Sequence, residues 1–235
     1  MNVVFSIINP HRLDTLTAIC KELDIPVSVT MLARGTAVQS MLDIMGIAST
    51  ERRIHMSIAS QEQTEQLLVG AVKLANFTVY DQARQFEEFA GMGTTLVAAL
   101  ISGKTAAVVN VGDSRAYHIT SEGIRRITVD HSLVQMMLDR GDLTPDEARD
   151  YPGKNYITRA VGTEPTVESD LFHVWLERGH AILLCSDGLH NEVDDQEILF
   201  EVVHGVNNDN CCQRLLDIAN MRGSPDNVTS VLVMV

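Results

Sequence analysis

Ala181-Ile182-Leu183-Leu184-Cys185-Ser186-Asp187-Gly188-Leu189 reads as a strand of five apolar residues, buried on both faces, that delivers one carboxylate to a glycine-relieved turn. A second stretch repeats the arrangement. Ala106-Ala107-Val108-Val109-Asn110-Val111-Gly112-Asp113-Ser114-Arg115-Ala116-Tyr117 reads as a buried strand, a Gly-Asp-Ser turn and a second strand, which places Asp113 at a hairpin tip. The third is Ser224-Pro225-Asp226-Asn227, a turn at the mouth of an apolar strand over residues 228–235.

Each acid alone has an ordinary explanation, because Gly, Asp, Asn, Ser and Pro are all turn formers. Asp187 is the least easily dismissed: the next helix has its own start signal, Asp194 with Glu197 three residues on, and does not need Asp187 as a cap. Three acids placed alike at strand ends form an oxygen-rich pocket if their strands share one sheet or two facing ones. Unpaired carboxylates crowded together repel, so such a pocket calls for a cation. Oxygen-only ligation suits Mg²⁺ or Mn²⁺ rather than zinc or copper. Two such ions close together can hold a hydroxide and polarise a phosphoryl oxygen, which makes phosphate-ester hydrolysis the candidate reaction. The pattern assigns no separate catalytic acid or base and no organic cofactor site.

Around these stretches the chain alternates strands with inserted helices. Strands are expected at residues 96–101, 105–111, 115–119, 123–127, 173–176, 181–185 and 228–235, and helices at 132–140, 145–150, 194–203 and 211–221. That texture argues for an α+β fold. A helical stripe over residues 61–89 precedes it. Before that, strands at 3–8, 26–32 and 53–59, a helix at 10–23 and a loop or short helix from Ala33-Arg34-Gly35-Thr36 onward give a ferredoxin-like β-α-β-β segment, with a boundary near Leu68.

The chain has 235 residues, 45% hydrophobic and 21% charged, enough for one sizeable core. A net charge of −13, with the basic residues between Arg115 and Arg159 scattered rather than striped, argues against nucleic acid as a partner. The four cysteines, Cys20, Cys185, Cys211 and Cys212, have neither zinc nor disulfide spacing, which fits a reducing cytoplasm. No apolar run approaches the ~20 residues that span a bilayer, so no membrane insertion is expected.

Six segments in order carry a resemblance: Gly91-Met92-Gly93-Thr94-Thr95, Gly112-Asp113-Ser114-Arg115-Ala116-Tyr117, Asp130-His131-Ser132, Thr158-Arg159-Ala160-Val161-Gly162, Ser186-Asp187-Gly188-Leu189 and Asp226-Asn227-Val228-Thr229. Residues 69–235 resemble the protein phosphatase 2C type of metal-dependent serine/threonine phosphatase, in its bacterial branch. The resemblance implies an antiparallel β-sandwich flanked by helices and hydrolysis of phosphoserine and phosphothreonine in proteins. It implies two Mn²⁺ or Mg²⁺ ions with Asp187 and Asp226 as ligands of the pair, a third and weaker ion at Asp113, and a cognate serine/threonine kinase acting on the same substrates. Gly91 to Thr95 would be a structural turn; Arg115, Arg159 and His131 lie in the motif blocks and are read as structural.

The family pattern begins with strands bearing an early Asp, a phosphate-binding Arg and an Asp-Gly-x-Gly-Gly turn whose Asp bridges both ions. Here no Asp-Gly pair precedes Asp187, and residues 1–68 hold only Asp14, Asp24 and Asp43 in unlike settings. The phosphatase-like domain is thus read as lacking its first strands. Residues 1–68 instead loosely resemble the P-II nitrogen-regulatory proteins, through the apolar first strand, the helix over 10–23 and Ala33-Arg34-Gly35-Thr36 ahead of a Gly46-Ile47 turn. An enzyme and a phosphatase-like scaffold with a sensor-like N-terminal half both remain open at this point.

Overall fold

The computed structural model describes residues 2–8, 27–34, 51–59, 61–149, 151–205 and 210–235, which fall into two units, Met1–Leu68 and Val69–Val235. In the first, β1 (Asn2–Ile8), β2 (Val27–Arg34) and β3 (Glu51–Ala59) form an antiparallel sheet in the order β1-β3-β2. β2 extends through Ala33 and Arg34, where a loop or short helix was expected. The helix expected over 10–23, the loop or short helix from Gly35-Thr36, the Gly46-Ile47 turn and Asp14, Asp24 and Asp43 lie outside the described residues.

Helix α1 (Gln61–Gln85) follows, closed by a 3-10 turn at Glu87–Phe89. The second unit then builds two antiparallel sheets. β4 (Leu96–Ser102), β5 (Thr105–Val111) and β8 (Asp170–Trp175) run in the order β4-β5-β8; β6 (Arg115–Thr120), β7 (Gly123–Arg126), β9 (Ala181–Cys185) and β10 (Ser230–Met234) run in the order β10-β9-β6-β7. The helices are α2 (Leu133–Arg140), α3 (Pro145–Arg149), α4 (Asp187–His190), α5 (Asp195–His204) and α6 (Cys211–Met221).

Apolar residues on both faces of β6 and β9 explain the layering. One face of these strands, with Ala116 and Ile182, packs against Ala106 and Val108 of β5 and Val174 of β8 to make the sandwich interior. The other, with Tyr117, Ile119, Leu183 and Cys185, is covered by Ile198 and Val202 of α5 and Cys211, Leu215 and Ala219 of α6. Burying each of the larger side chains contributes about 1.5–3 kcal/mol, so a strand with no polar face is stable only between two such layers. The expected α+β sandwich with flanking helices is the architecture found. Helix α5 starts as its sequence signal requires: Asp194 accepts from the Glu197 amide at 2.9 Å, and Glu197 accepts from the Asp194 amide at 3.2 Å.

One expectation fails on topology. β5 and β6 are not a hairpin, because they belong to different sheets. Both edges of β5 are taken, by β4 and β8, so the chain leaves at Val111 and crosses to the facing sheet. Asp113 therefore sits on an arch between the sheets rather than at a hairpin tip. Other differences are at element ends: the last strand starts at Ser230 instead of 228, and β8 starts three residues early, at Asp170, where it is opposite Asn110.

Asn76 of α1 is buried and ties the helix to the segment after Thr158: its Oδ1 accepts from the Gly162 amide at 2.7 Å and its Nδ2 donates to the Glu164 carbonyl at 3.0 Å. Asn76→Leu, which fills similar space but leaves both backbone groups unpaired, is expected to lower the unfolding free energy by about 2–3 kcal/mol. Urea unfolding checks this; a loss no larger than that of an exposed substitution would contradict it.

Candidate functional site

The strand register decides where the acids meet. Cys185 of β9 is opposite Arg115 of β6 on one side and Ser230 of β10 on the other. In antiparallel pairs, going forward past Cys185 to Asp187 means going backward past Arg115 to Asp113, and backward past Ser230 toward Asp226. All three acids thus project from one end of a single sheet.

Asp187 does not lie in a plain turn. It opens the four-residue helix α4, closed by the Asn191 amide donating to the Asp187 carbonyl at 2.9 Å and anchored by the fully buried Leu189. Gly188 lets this helix approach the Asp226 turn: a Cβ there would stand 2.5 Å from the Asn227 carbonyl oxygen. Ser186 links the same two segments. Its Oγ accepts from the Thr229 amide at 3.0 Å and donates to the Asn227 carbonyl at 3.3 Å. Asp226 Oδ1 accepts from the Asn227 amide at 2.7 Å.

The Asp113 arch is held from beneath. Gly112 has φ +103°, and a Cβ there would overlap Thr95, so glycine is required on both counts. The Gly112 amide donates to His131 Nδ1 at 3.0 Å, and the His131 amide donates to the Gly112 carbonyl at 2.9 Å. With Nδ1 accepting, the ring proton lies on Nε2, 3.2 Å from Asp170 Oδ2. Arg159 donates to Asp170 Oδ1 at 2.9 Å, and Arg115 makes a forked pair with Asp130 at 3.1 and 2.6 Å. Arg115, His131 and Arg159, read from the sequence as structural, are thus each engaged by neighbouring protein groups. The Ser114 and Thr95 hydroxyls are 2.8 Å apart, and Thr94 and Val161 exchange both backbone hydrogen bonds. Through these contacts the six sequence segments form one connected scaffold.

Two residues escaped the sequence reading. Asp130 was quoted in its block without a role; it neutralises Arg115 and lies within 3.5 Å of Arg126. His190, at the end of α4, is 3.0 Å by Nε2 from the Asp113 backbone carbonyl, while its buried Nδ1 has no hydrogen-bond partner among the described residues. Burial pushes the His190 imidazole down to about 4, so it is neutral near pH 7. No local pattern announces a contact between residues this far apart in sequence.

The electrostatics record the crowding. Burial first, then the charge of Asp187, pushes Asp113 up to about 6. Burial and then the charge of Asp226 raise Asp187. These are carboxylates that ionise reluctantly unless a cation joins them. Their hard oxygen donors fit Mg²⁺ or Mn²⁺. Among the described residues, however, no three His, Cys, Asp or Glu side chains converge closely enough to hold an ion by themselves. An ion here would complete its coordination with water and other oxygens.

The sequence model of the family described as protein phosphatase 2C matches residues 35–216, beginning inside the first unit. The serine/threonine phosphatase stp of Listeria innocua is 34% identical over 177 residues, covering 75% of this chain and 70% of that protein. The crystal structure of the serine/threonine phosphatase Stp1 from Staphylococcus aureus superposes with a TM-score of 0.73 at 40% identity, over 76% of this chain and 70% of that one. The S. agalactiae serine/threonine phosphatase superposes with a TM-score of 0.71 at 25% identity, over 99% and 86%.

A raised folded-state pKa contributes stability that is present below the unfolded value, near 4, and lost as pH rises through about 6. In excess chelator, Asp113→Asn is therefore expected to gain melting temperature relative to wild type between pH 4 and pH 7. Parallel melting curves across that window would contradict the crowding.

Proposed function

The chain belongs to the protein phosphatase 2C family, and on that premise we propose that it removes phosphate from phosphoserine and phosphothreonine in proteins, in a metal-dependent signalling reaction. The observation that carries this reading is the placement of Asp113, Asp187 and Asp226 at one sheet end, with Asp113 and Asp187 both displaced upward, first by burial and then by the charge of a neighbouring acid.

Asp187 and Asp226 would hold the ion pair, and Asp113 with Asp187 a third, weaker ion. Mn²⁺ or Mg²⁺ there supplies Lewis-acid activation of water and of the phosphoryl group. The protein's own part is to present ionised carboxylates at fixed spacing: Gly188 and Ser186 lock the Asp187 helix against the Asp226 turn, while His131 and Gly112 hold the Asp113 arch. Arg115 and Arg159 are engaged by Asp130 and Asp170, so neither is offered to a substrate phosphate by the arrangement described.

In this reading residues 69–235 form the phosphatase-like domain and residues 1–68 a ferredoxin-like half; the β1-β3-β2 antiparallel order supports the latter, as that is the order such a half adopts. A cognate serine/threonine kinase would supply the phosphoproteins. Cytoplasmic residence is consistent with free Cys185, Cys211 and Cys212, and no helix among the described residues is long and apolar enough to cross a membrane.

A second reading, a phosphatase-like scaffold with weak or no turnover, is favoured by one specific feature: no Asp-Gly pair precedes Asp187 to supply a carboxylate bridging both ions. Turnover of a phosphothreonine peptide distinguishes the two. Hydrolysis should require Mn²⁺ and fall at least about 100-fold in Asp187→Asn, as expected when a group needed for transition-state stabilisation is lost. Unchanged turnover in excess chelator would overturn the metal-dependent phosphatase reading, and wild-type protein that binds no Mn²⁺ at millimolar concentration would favour the scaffold.

A further inference from the structure

We propose that His190 is a positioning residue that sets the direction of the Asp113 carboxylate toward the ion it shares with Asp187, an inference that rests on the metal-site reading above. The peptide planes on either side of the Asp113 Cα are both held. The plane before it is fixed because the Gly112 carbonyl accepts from the His131 amide at 2.9 Å and from Asn110 Nδ2 at 3.1 Å. The plane after it is fixed at the Asp113 carbonyl, which is 3.0 Å from His190 Nε2. A carbonyl can only accept, so the ring proton lies on Nε2 and donates. Holding both planes holds φ and ψ of Asp113, and with them the Cα–Cβ direction of its side chain.

The second of these restraints comes from α4 itself, one turn beyond Asp187. His190 therefore couples the two acids: the helix that carries Asp187 also orients the backbone of Asp113. The ring is a poor choice for packing alone. Its buried Nδ1 has no hydrogen-bond partner among the described residues, a cost that a leucine at this position would not incur. What the imidazole provides in exchange is the bond from Nε2.

Calorimetric titration with Mn²⁺ and thermal melting in chelator, on wild type, His190→Leu and His190→Gln, test this. His190→Leu, in which removal of the unpartnered Nδ1 offsets the Asp113 carbonyl left without its donor, is expected to melt close to wild type yet bind its weakest Mn²⁺ about 5-fold less tightly, the scale of one lost hydrogen bond. His190→Gln, whose amide N–H can reach the same carbonyl, is expected to restore binding to within about 2-fold. Unchanged Mn²⁺ binding in His190→Leu would overturn the positioning role alone. So would a large drop in its melting temperature with no rescue by His190→Gln, which would mark the ring as packing. Wild-type protein without Mn²⁺ binding would overturn the metal reading and this inference with it.

Discussion

The pairing of β9 on both sides at Cys185, with Arg115 across one edge and Ser230 across the other, is the constraint on which the acidic site depends. A one-residue slip on either side would turn every side chain of the slipped strand to the opposite face. Tyr117 and Ile119 would then leave the layer covered by α5 and α6, and Ala116 would leave the sandwich interior. The apolar core thus enforces the register, and the register aligns Asp113, Asp187 and Asp226. Fold stability and site geometry are here one requirement, met by residues that never touch a ligand.

The consequence is a site built against its own electrostatics. The fold spends core energy to hold carboxylates where burial and mutual repulsion push Asp113 up to about 6. Glycines at positions 112 and 188 are what permit the close approach, the first under Thr95 and the second under the Asn227 carbonyl. Arg115, close by, relieves the strain only in part: its charge favours ionised Asp113 and Asp187, but Asp130 takes its guanidinium in a forked pair. A divalent cation is the compensation that the donor chemistry admits.

Much of this was legible before the coordinates. β5, β9 and α6 have the bounds read from the sequence, because each is an unbroken apolar or amphipathic run with sharp stops on either side. Asp194 and Glu197 announced the start of α5. What could not be read was pairing. Gly112-Asp113-Ser114 is compatible with a hairpin or an arch, and only the occupation of both edges of β5 decides for the arch. Helix α4 is too short for periodicity to reveal, and His190 acts through a bond to a backbone carbonyl that no side-chain pattern encodes. The metal-ligand roles proposed for the three acids draw on their shared placement at one sheet end and on family membership together.

The most direct test is a crystal structure of the chain grown with Mn²⁺, with anomalous scattering recorded at the manganese edge. The account requires a pair of peaks beside the Asp187 and Asp226 oxygens, and a third, weaker one beside Asp113 at the same end of the sheet. An anomalous map with no peak at this end, with the three carboxylates ordered, would contradict it.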